Sequence, residues 1–284
     1  FRRVLFRSAP DRGDVAIDAL GRVAVAYDTT SASSSGIRGV VARVFDAKGN
    51  PLGGTFYVSE RETPDALSSL SRRPRVAFRN DTIAIVWESN SAEVPDVRTV
   101  ALRQFVIPVK PGSIQAAGLT RIVADTPLIN QGLNALGNWE PYVSVLGTST
   151  FLIEGNAFAQ GTEDKQRFVV GFQPAAGGTY KLGDAVFADN GTPYRGPINA
   201  SRQNGNPGRV AGDPRPGAVN FVAGGEMSPH TVTEFGSDNR WTRGYARATA
   251  SGTESRYGTV QPFSLNPATL EQKSLAKAFD AAHG

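Results

Sequence analysis

The side chains best suited to chemistry in this sequence are four carboxylates and two tryptophans standing in or beside polar stretches: Asp28, Glu88, Asp96, Glu226, Trp139 and Trp241. Two carboxylates facing one cleft can act as acid and base, or acid and nucleophile, on a glycosidic bond. An exposed Trp next to acidic groups can instead stack on a sugar ring while the acids hold its hydroxyls. For each of the six the plain alternative is an ordinary solvated loop residue. They are therefore candidate ligand-binding residues, and the sequence assigns no catalytic residue.

Other chemistry finds little support. The chain has no cysteine, so it can form neither a disulfide framework nor a thiolate metal site. Its two histidines, His230 and His283, are too few for an imidazole metal centre, and no proton shuttle is marked by its neighbours. HExxH, GxSxG and P-loop patterns are absent. Ser237-Asp238-Asn239-Arg240-Trp241 is only faintly similar to the Ser-x-Asp-x-Gly-x-x-Trp box of propeller sialidases, lacking its Gly and its spacing. No cofactor and no metal are expected.

The net charge is +4, but Arg2, Arg3 and Arg7 contribute three of those charges. All three lie in Phe1 to Ser8, a string without an initiator Met that resembles the translation of a sequencing-adapter end. It is read as a non-native scar and set aside from fold reasoning; a short basic segment of a genuine chain is the alternative. Without it the charge is near +1, and no basic stripe interleaved with aromatics follows, so no nucleic-acid partner is expected. Arg72-Arg73 reads as solvated edge or loop charge. No apolar run approaches the ~20 residues that span a bilayer.

What must position the six candidates is a repeat. Ala16, Ala77, Ser144 and Ala211 follow one another at steps of 61, 67 and 67 residues, and Tyr27, Trp87, Glu154 and Phe221 at steps of 60, 67 and 67. Phe45, Phe105 and Phe172 keep a third register. A period of this length marks a supersecondary unit that buries its face against its neighbours. Within each unit apolar residues alternate between turn signals, the signature of strands. The first unit reads as strands over Asp14–Asp18, Arg22–Asp28, Ile37–Asp46 and Thr55–Ser59. The second reads as Pro74–Phe78, Thr82–Glu88, Arg98–Val106 and Thr120–Ala124. The third reads as Pro141–Leu146, Thr150–Glu154, Arg167–Gln173 and Asp184–Ala188, and the fourth as Gly208–Gly212, Ala218–Ala223, Arg243–Thr249 and Gly258–Leu265. Pro74 and Pro141 suit strand entries, where a missing N–H costs nothing. The recurrent Phe reads as a plug between sheets. Arg43, Arg103 and Arg247 read as lying along a sheet face with solvated heads.

Four antiparallel strands per unit of sixty-odd residues is the blade of a β-propeller; sandwich domains ordinarily need about 100 residues. The expected fold is all-β: four blades at about 13–60, 73–125, 141–189 and 207–266 within a repeat region 9–266, open to being part of a larger ring. A tail, 267–284, is read as a helix from Leu270, Leu275, Ala278 and Phe279; the alternative is the start of a further blade, since Ala276-Lys277-Ala278-Phe279-Asp280 echoes Ala42-Arg43-Val44-Phe45-Asp46. The longest polar loops, among them Thr29–Gly36, Ser89–Val97, Asn156–Gln166 and Glu226–Arg240, then share one face, where binding groups tend to ride.

The stretch Gly21–Glu60 followed by Arg73–Glu88 resembles a propeller-like repeat of large secreted bacterial proteins. Val86-Trp87-Glu88-Ser89 stands for its Val-x-Trp-x-Ser, Ala42-Arg43-Val44-Phe45-Asp46-Ala47-Lys48-Gly49 for its Ala-Gln-Arg-Phe-Asp-x-x-Gly, Gly54-Thr55-Phe56-Tyr57-Val58-Ser59 for its Gly-x-x-Phe-x-Val-Asn, and Pro74-Arg75-Val76-Ala77 for its Pro-x-Val-Ala. The likeness fades in the third and fourth copies. It implies an extracellular or cell-surface protein, with the periplasm as the alternative, a role as a non-catalytic scaffold or recognition module with a glycan or protein ligand, and further domains in a longer chain. The accompanying calcium-binding nonapeptides are absent here. The competing expectation is a propeller glycoside hydrolase or lyase acting on polysaccharide.

Overall fold

A computed structural model describes residues 13–30, 38–59, 72–90, 98–107, 112, 114–116, 121–122, 138–158, 165–175, 180–184, 186–187, 205–206, 210–227, 241–249 and 252–275. They form four antiparallel sheets and, among the described residues, no helix.

Sheet 1 runs in chain order through β1 (Gly13–Ile17), β2 (Val23–Thr30), β3 (Arg38–Phe45) and β4 (Phe56–Tyr57). Sheet 2 comprises β5 (Arg72–Arg79), β6 (Thr82–Asn90) and β7 (Arg98–Val106), with two short pieces, β8 (Gln115–Ala116) and β9 (Arg121–Ile122), sharing the outer edge of β7. Sheet 3 repeats that plan in β10 (Asn138–Leu146), β11 (Thr150–Phe158), β12 (Lys165–Pro174), β13 (Tyr180–Leu182) and β14 (Val186–Phe187). The fourth strand read from sequence is thus split in two in both sheets.

Sheet 4 departs further. β15 (Gly205–Asn206) and β16 (Ala211–Gly212) flank β17 (Asn220–Met227), but β17 pairs with β19 (Gly252–Leu265), not with β18 (Trp241–Thr249). β18 folds back on β19 as a hairpin and shares its far edge with β20 (Gln272–Ser274). The third lane therefore belongs to Gly252–Leu265, and the strand expected there, which includes Arg247, lies in the fourth lane.

The register bears out the first marker. Ala16 pairs with Ala24, Ala77 with Ala84, Ser144 with Leu152 and Ala211 with Val222, so the four occupy one rung of the innermost strand in each sheet. Consecutive sheets pack face to face, and each junction holds one core. Between sheets 1 and 2, small residues Ala24, Ala26 and Ala42 meet Ile83, Ile85, Trp87 and Phe105. Between sheets 2 and 3, Ala84, Val86 and Leu102 meet Phe151, Ile153, Phe168 and Phe172. Between sheets 3 and 4, Leu152 and Val169 meet Phe221, Phe263 and Leu270. The alternation of strand side chains gives every sheet a leading face, which plugs the sheet before it, and a trailing face, which receives the next. These are four blades of a β-propeller. Phe105 and Phe172 are the expected plugs, each at most 2% exposed.

The second marker is reassigned. Tyr27 pairs with Val41 and Trp87 with Ala101, but the matching rung of sheet 3 is Gly155 with Phe168, one residue beyond Glu154. Volume is conserved across the strand pair, not at one position: Trp opposite Ala in sheet 2, Gly opposite Phe in sheet 3. In sheet 4 Phe221 pairs with Phe263 and corresponds to Phe151, which pairs with Phe172.

Pro74 and Pro141 do not open their strands. Each sits in a register skip, between Arg72 and Arg75 and between Trp139 and Tyr142. A bulge residue owes no ladder hydrogen bond, which is why the ring is accepted inside a strand.

The tail is also corrected over its described part. Asn266 accepts the Ala268 N–H on Oδ1 and the Leu270 N–H on its carbonyl, and Leu270 takes a left-handed φ of 62°. The turn delivers Leu270 into the last core, and β20 then pairs with β19. Gln272 is buried and donates its amide to the Val169 carbonyl, 3.0 Å away. The remainder of the expected helix, 276–282, lies outside the described residues, as does 1–8.

Two polar ties lock neighbouring sheets. Arg22 binds Asp18 in its own sheet at 2.7 Å and Asp81 of sheet 2 at 2.9 Å, with its guanidinium over the Phe78 ring. Burial alone would lower its pKa; the bonds to the two carboxylates outweigh burial and raise it. At the last junction the Gly212 N–H donates to Ser144 Oγ at 3.1 Å, and the backbones approach so closely that a Cβ on Gly212 would stand 2.3 Å from the Val145 carbonyl oxygen. Gly212→Ala is expected to cost about 1–3 kcal/mol, a core overpacking penalty. A thermal melt lowered by several degrees is the check; an unchanged melt would mean the two sheets slide apart freely.

Candidate functional site

The trailing face of the second strand ends in one repeated slot. Four residues beyond the rung partners Ala24, Ala84, Leu152 and Val222 stand Asp28, Glu88, Asn156 and Glu226. Three of the six candidates thus share one register position, at the same end of the second strand in sheets 1, 2 and 4. Trp139 pairs directly with Asn156, which places it on the corresponding row of sheet 3. Trp241 begins β18 opposite Val260, two residues away from the row of Glu226 and Gly258. Asp96 lies outside the described residues. The structure therefore gathers Asp28, Glu88, Trp139 and Glu226 on one end of the sheets and sets Trp241 below them.

The chemistry of the first two is defined by a residue read from sequence as solvated charge. Asp28 is 3% exposed and Glu88 1%. Arg73 stands between them in the bulge of β5, with a left-handed φ of 53°. Its backbone N–H donates to Asp28 Oδ2 at 3.4 Å, and its Nη1 donates to Glu88 Oε1 at 2.9 Å. The Arg73 side chain is only 15% exposed. Backbone and guanidinium of one residue thus hold a carboxylate of sheet 1 and one of sheet 2. The bulge does this: by breaking the ladder it frees the Arg73 N–H for the neighbouring sheet while the side chain returns to its own strand partner. Nothing in Arg72-Arg73-Pro74 except the proline signalled it, because left-handed backbone at an Arg is set by tertiary context.

Arg103, read as solvated, also turns inward: its guanidinium donates to the Val58 carbonyl of sheet 1 at 3.0 Å and lies 5.7 Å from the centroid of Phe105. Glu154, absent from the candidate set, is a further buried carboxylate, 1% exposed on the trailing face of sheet 3. Alternation within β11 puts Glu154 on the face of Leu152; the period alone gave no sign that this slot would hold a charge.

Elsewhere a shallow cavity of about 390 Å³ opens at the turn after β16, lined by Asp213, Arg215 and Asn220 among others. The Arg215 guanidinium binds Asp213, and with backbone N–H bonds it pulls that carboxyl down to about 2. A group so acidic stays ionised at neutral pH and cannot donate a proton there. Among the described residues no cluster of three or more His, Asp or Glu could hold a metal ion, and no helix is long and apolar enough to cross a membrane.

No protein-family model matches the sequence, and no curated protein sequence matches it. Among solved structures the chain is similar to a sialidase from Trypanosoma rangeli in complex with the inhibitor DANA (10% identity, TM-score 0.47, covering 94% of this chain and 45% of that one). It is also similar to the Bombyx mori GH32 β-fructofuranosidase (11%, TM-score 0.43, 93% and 50%) and to an α-L-arabinofuranosidase from Lactobacillus brevis (10%, TM-score 0.42, 89% and 71%). The chain spans about half the length of the first two.

Proposed function

We propose that this chain is a non-catalytic recognition module of an exported bacterial protein, binding a glycan on the face where the second strands end. The observation that supports this is the fate of Asp28 and Glu88. Both are buried and both are spent on Arg73. An acid–base pair for glycosidic cleavage needs carboxyls that reach the substrate and exchange protons with it. Carboxylates locked to an arginine beneath the surface stiffen a platform instead. On that platform Trp139 is the stacking group and Glu226 the hydroxyl acceptor. The alternative, a propeller glycoside hydrolase or lyase, would draw its acids from Glu226 and Asp96.

One experiment separates the two. The intact chain is applied to a glycan array, and retained glycans are incubated with it and assayed for new reducing ends. The expected result is retention without cleavage, and loss of retention in Trp139→Ala at an unchanged melting temperature. Silence across the array rejects the recognition reading; cleavage that disappears in Glu226→Gln establishes the hydrolase.

A further inference from the structure

One positive charge on the inner strands has been given no counter-ion. Two residues before the rung of Ala16, Ala77 and Ser144, the innermost strands of sheets 1 to 3 carry Asp14, Arg75 and Tyr142, which pair with Ala26, Val86 and Glu154. In a propeller these strands surround the central channel. Arg75 is the first paired residue after the bulge of β5, two positions along β6 from the Arg72–Glu88 pair. Tyr142 likewise follows its bulge, two positions along β11 from the Trp139–Asn156 pair. Two strand residues span about 7 Å, so Arg75 and Tyr142 lie at one depth, just below the face where the second strands end.

Other arginines at the sheet junctions and turns are matched. Arg22 binds Asp18 and Asp81, Arg73 binds Glu88, and Arg215 binds Asp213. Arg75 is half-buried, yet among the described residues no carboxylate pairs with it. Its Nη1 donates to the carbonyl of the adjacent Pro74 at 3.0 Å, and its guanidinium carbon lies 4.9 Å from the centroid of the Tyr142 ring. Its Nε is buried without an acceptor. Asp14, in the same row, accepts the Val76 N–H at 3.0 Å instead. Arg43 and Arg79 also lack a carboxylate, but Arg43 lies over Phe45 of its own strand and Arg79 ends β5 on the side away from this face. Half-burial of Arg75 thus costs hydration that no internal anion returns. The ring and the local bond hold the group in place, and its remaining N–H donors form a planar fork that matches a carboxylate.

We infer, on the recognition reading above, that Arg75 binds the carboxylate of an acidic sugar, so that the glycan is one carrying uronic-acid residues. Tyr142 backs the guanidinium, and the sugar carboxylate supplies the counter-ion that the fold withholds.

The test adds matched pairs to the glycan array: uronic-acid oligosaccharides beside their carboxyl-reduced forms, and sulfated oligosaccharides beside desulfated ones. The intact chain should retain the uronic-acid members and not their reduced partners. Arg75→Met should weaken that retention by about ten- to a hundredfold, the contribution of a charge-assisted pair. Its melting temperature should equal or exceed the parent's, since a residue kept for a ligand is often a cost to the fold. Arg75→Lys keeps the charge without the fork and should fall between parent and Arg75→Met. Retention of neutral glycans that Arg75→Met leaves unchanged overturns the assignment while leaving a recognition module in place. A melt lowered in both Arg75→Met and Arg75→Lys marks a structural arginine and also overturns it. Retention of sulfated members alone rejects the carboxylate in favour of sulfate. Silence across the whole array rejects this assignment together with the recognition reading.

Discussion

Arg73→Met should lower the unfolding free energy at pH 7 by about 3 kcal/mol, the lower end of what removing one partner of a buried pair costs. Glu88 is almost wholly enclosed, and the substitution takes away the guanidinium 2.9 Å from its Oε1. The methionine supplies comparable volume, so packing is nearly kept and the loss isolates the charge. The lower end applies because Arg73 itself retains contact with solvent. Three companion variants show which link is at fault. Glu88→Gln keeps an acceptor for Arg73 and should cost less than Arg73→Met. The double variant Arg73→Met with Glu88→Leu should recover most of the loss, because an enclosed charge with no counter-ion is worse than none. Arg73→Gly removes the ion pair but relieves the left-handed backbone, so it should fall between parent and Arg73→Met. Urea midpoints at constant m report all four. An Arg73→Met midpoint within about 0.5 kcal/mol of the parent, the range of an ordinary surface change, would show that the bulge contributes nothing and that Asp28 and Glu88 are held otherwise. That outcome would also remove the main support for reading the strand ends as a rigid platform.

How far the residues announced this arrangement depends on what sets each feature. The strands of sheets 1 to 3 are written locally, as alternation between turn signals, and the rung of Ala16, Ala77, Ser144 and Ala211 came out in register because a small residue is needed wherever two inner strands approach. The Trp87 rung was harder to read, since its volume is shared between two strands far apart in sequence. A Gly at 155 is explained only by a Phe at 168. Sheet 4 escaped because lane order is decided by long-range pairing: β18 and β19 both alternate acceptably, and only β17 chooses between them. The tail misled for a related reason, as Leu270 occupies a helical-looking stripe yet is placed by an Asn-capped turn. At the candidate site the acids at positions 28 and 88 were legible as strand-end residues, whereas their enclosure and their shared arginine arise from a bulge that proline only hinted at.

Trp87→Ala should cost about 3–5 kcal/mol, the range for truncating a core aromatic, and the loss should be partly repairable from across the strand. Trp87 is 1% exposed at the junction of sheets 1 and 2, where it faces Ala26 and Ala42 across the core. Among the described residues its Nε1 is buried without a hydrogen-bond partner. Its contribution is therefore volume and apolar area, offset by one unsatisfied donor. Trp87→Phe should accordingly cost less than Trp87→Ala, since it leaves a smaller cavity and removes the unsatisfied donor. Sheet 3 shows a second way to fill the same rung, with Phe168 in the third strand reaching over Gly155, whose added Cβ would lie 2.7 Å from the Phe168 ring. Transposing that solution, Trp87→Ala with Ala101→Phe should recover at least 1 kcal/mol of the loss through restored core volume. Ala101→Phe alone should destabilise by about 1–3 kcal/mol, since the rung would then hold two rings. Equal losses in the single Trp87→Ala variant and the double variant would mean that the rungs of sheets 2 and 3 are not interchangeable. The blades would then be similar in pairing but not in packing, and the sharing of volume across the strand pair would fail as the rule that relates the rungs of sheets 2 and 3.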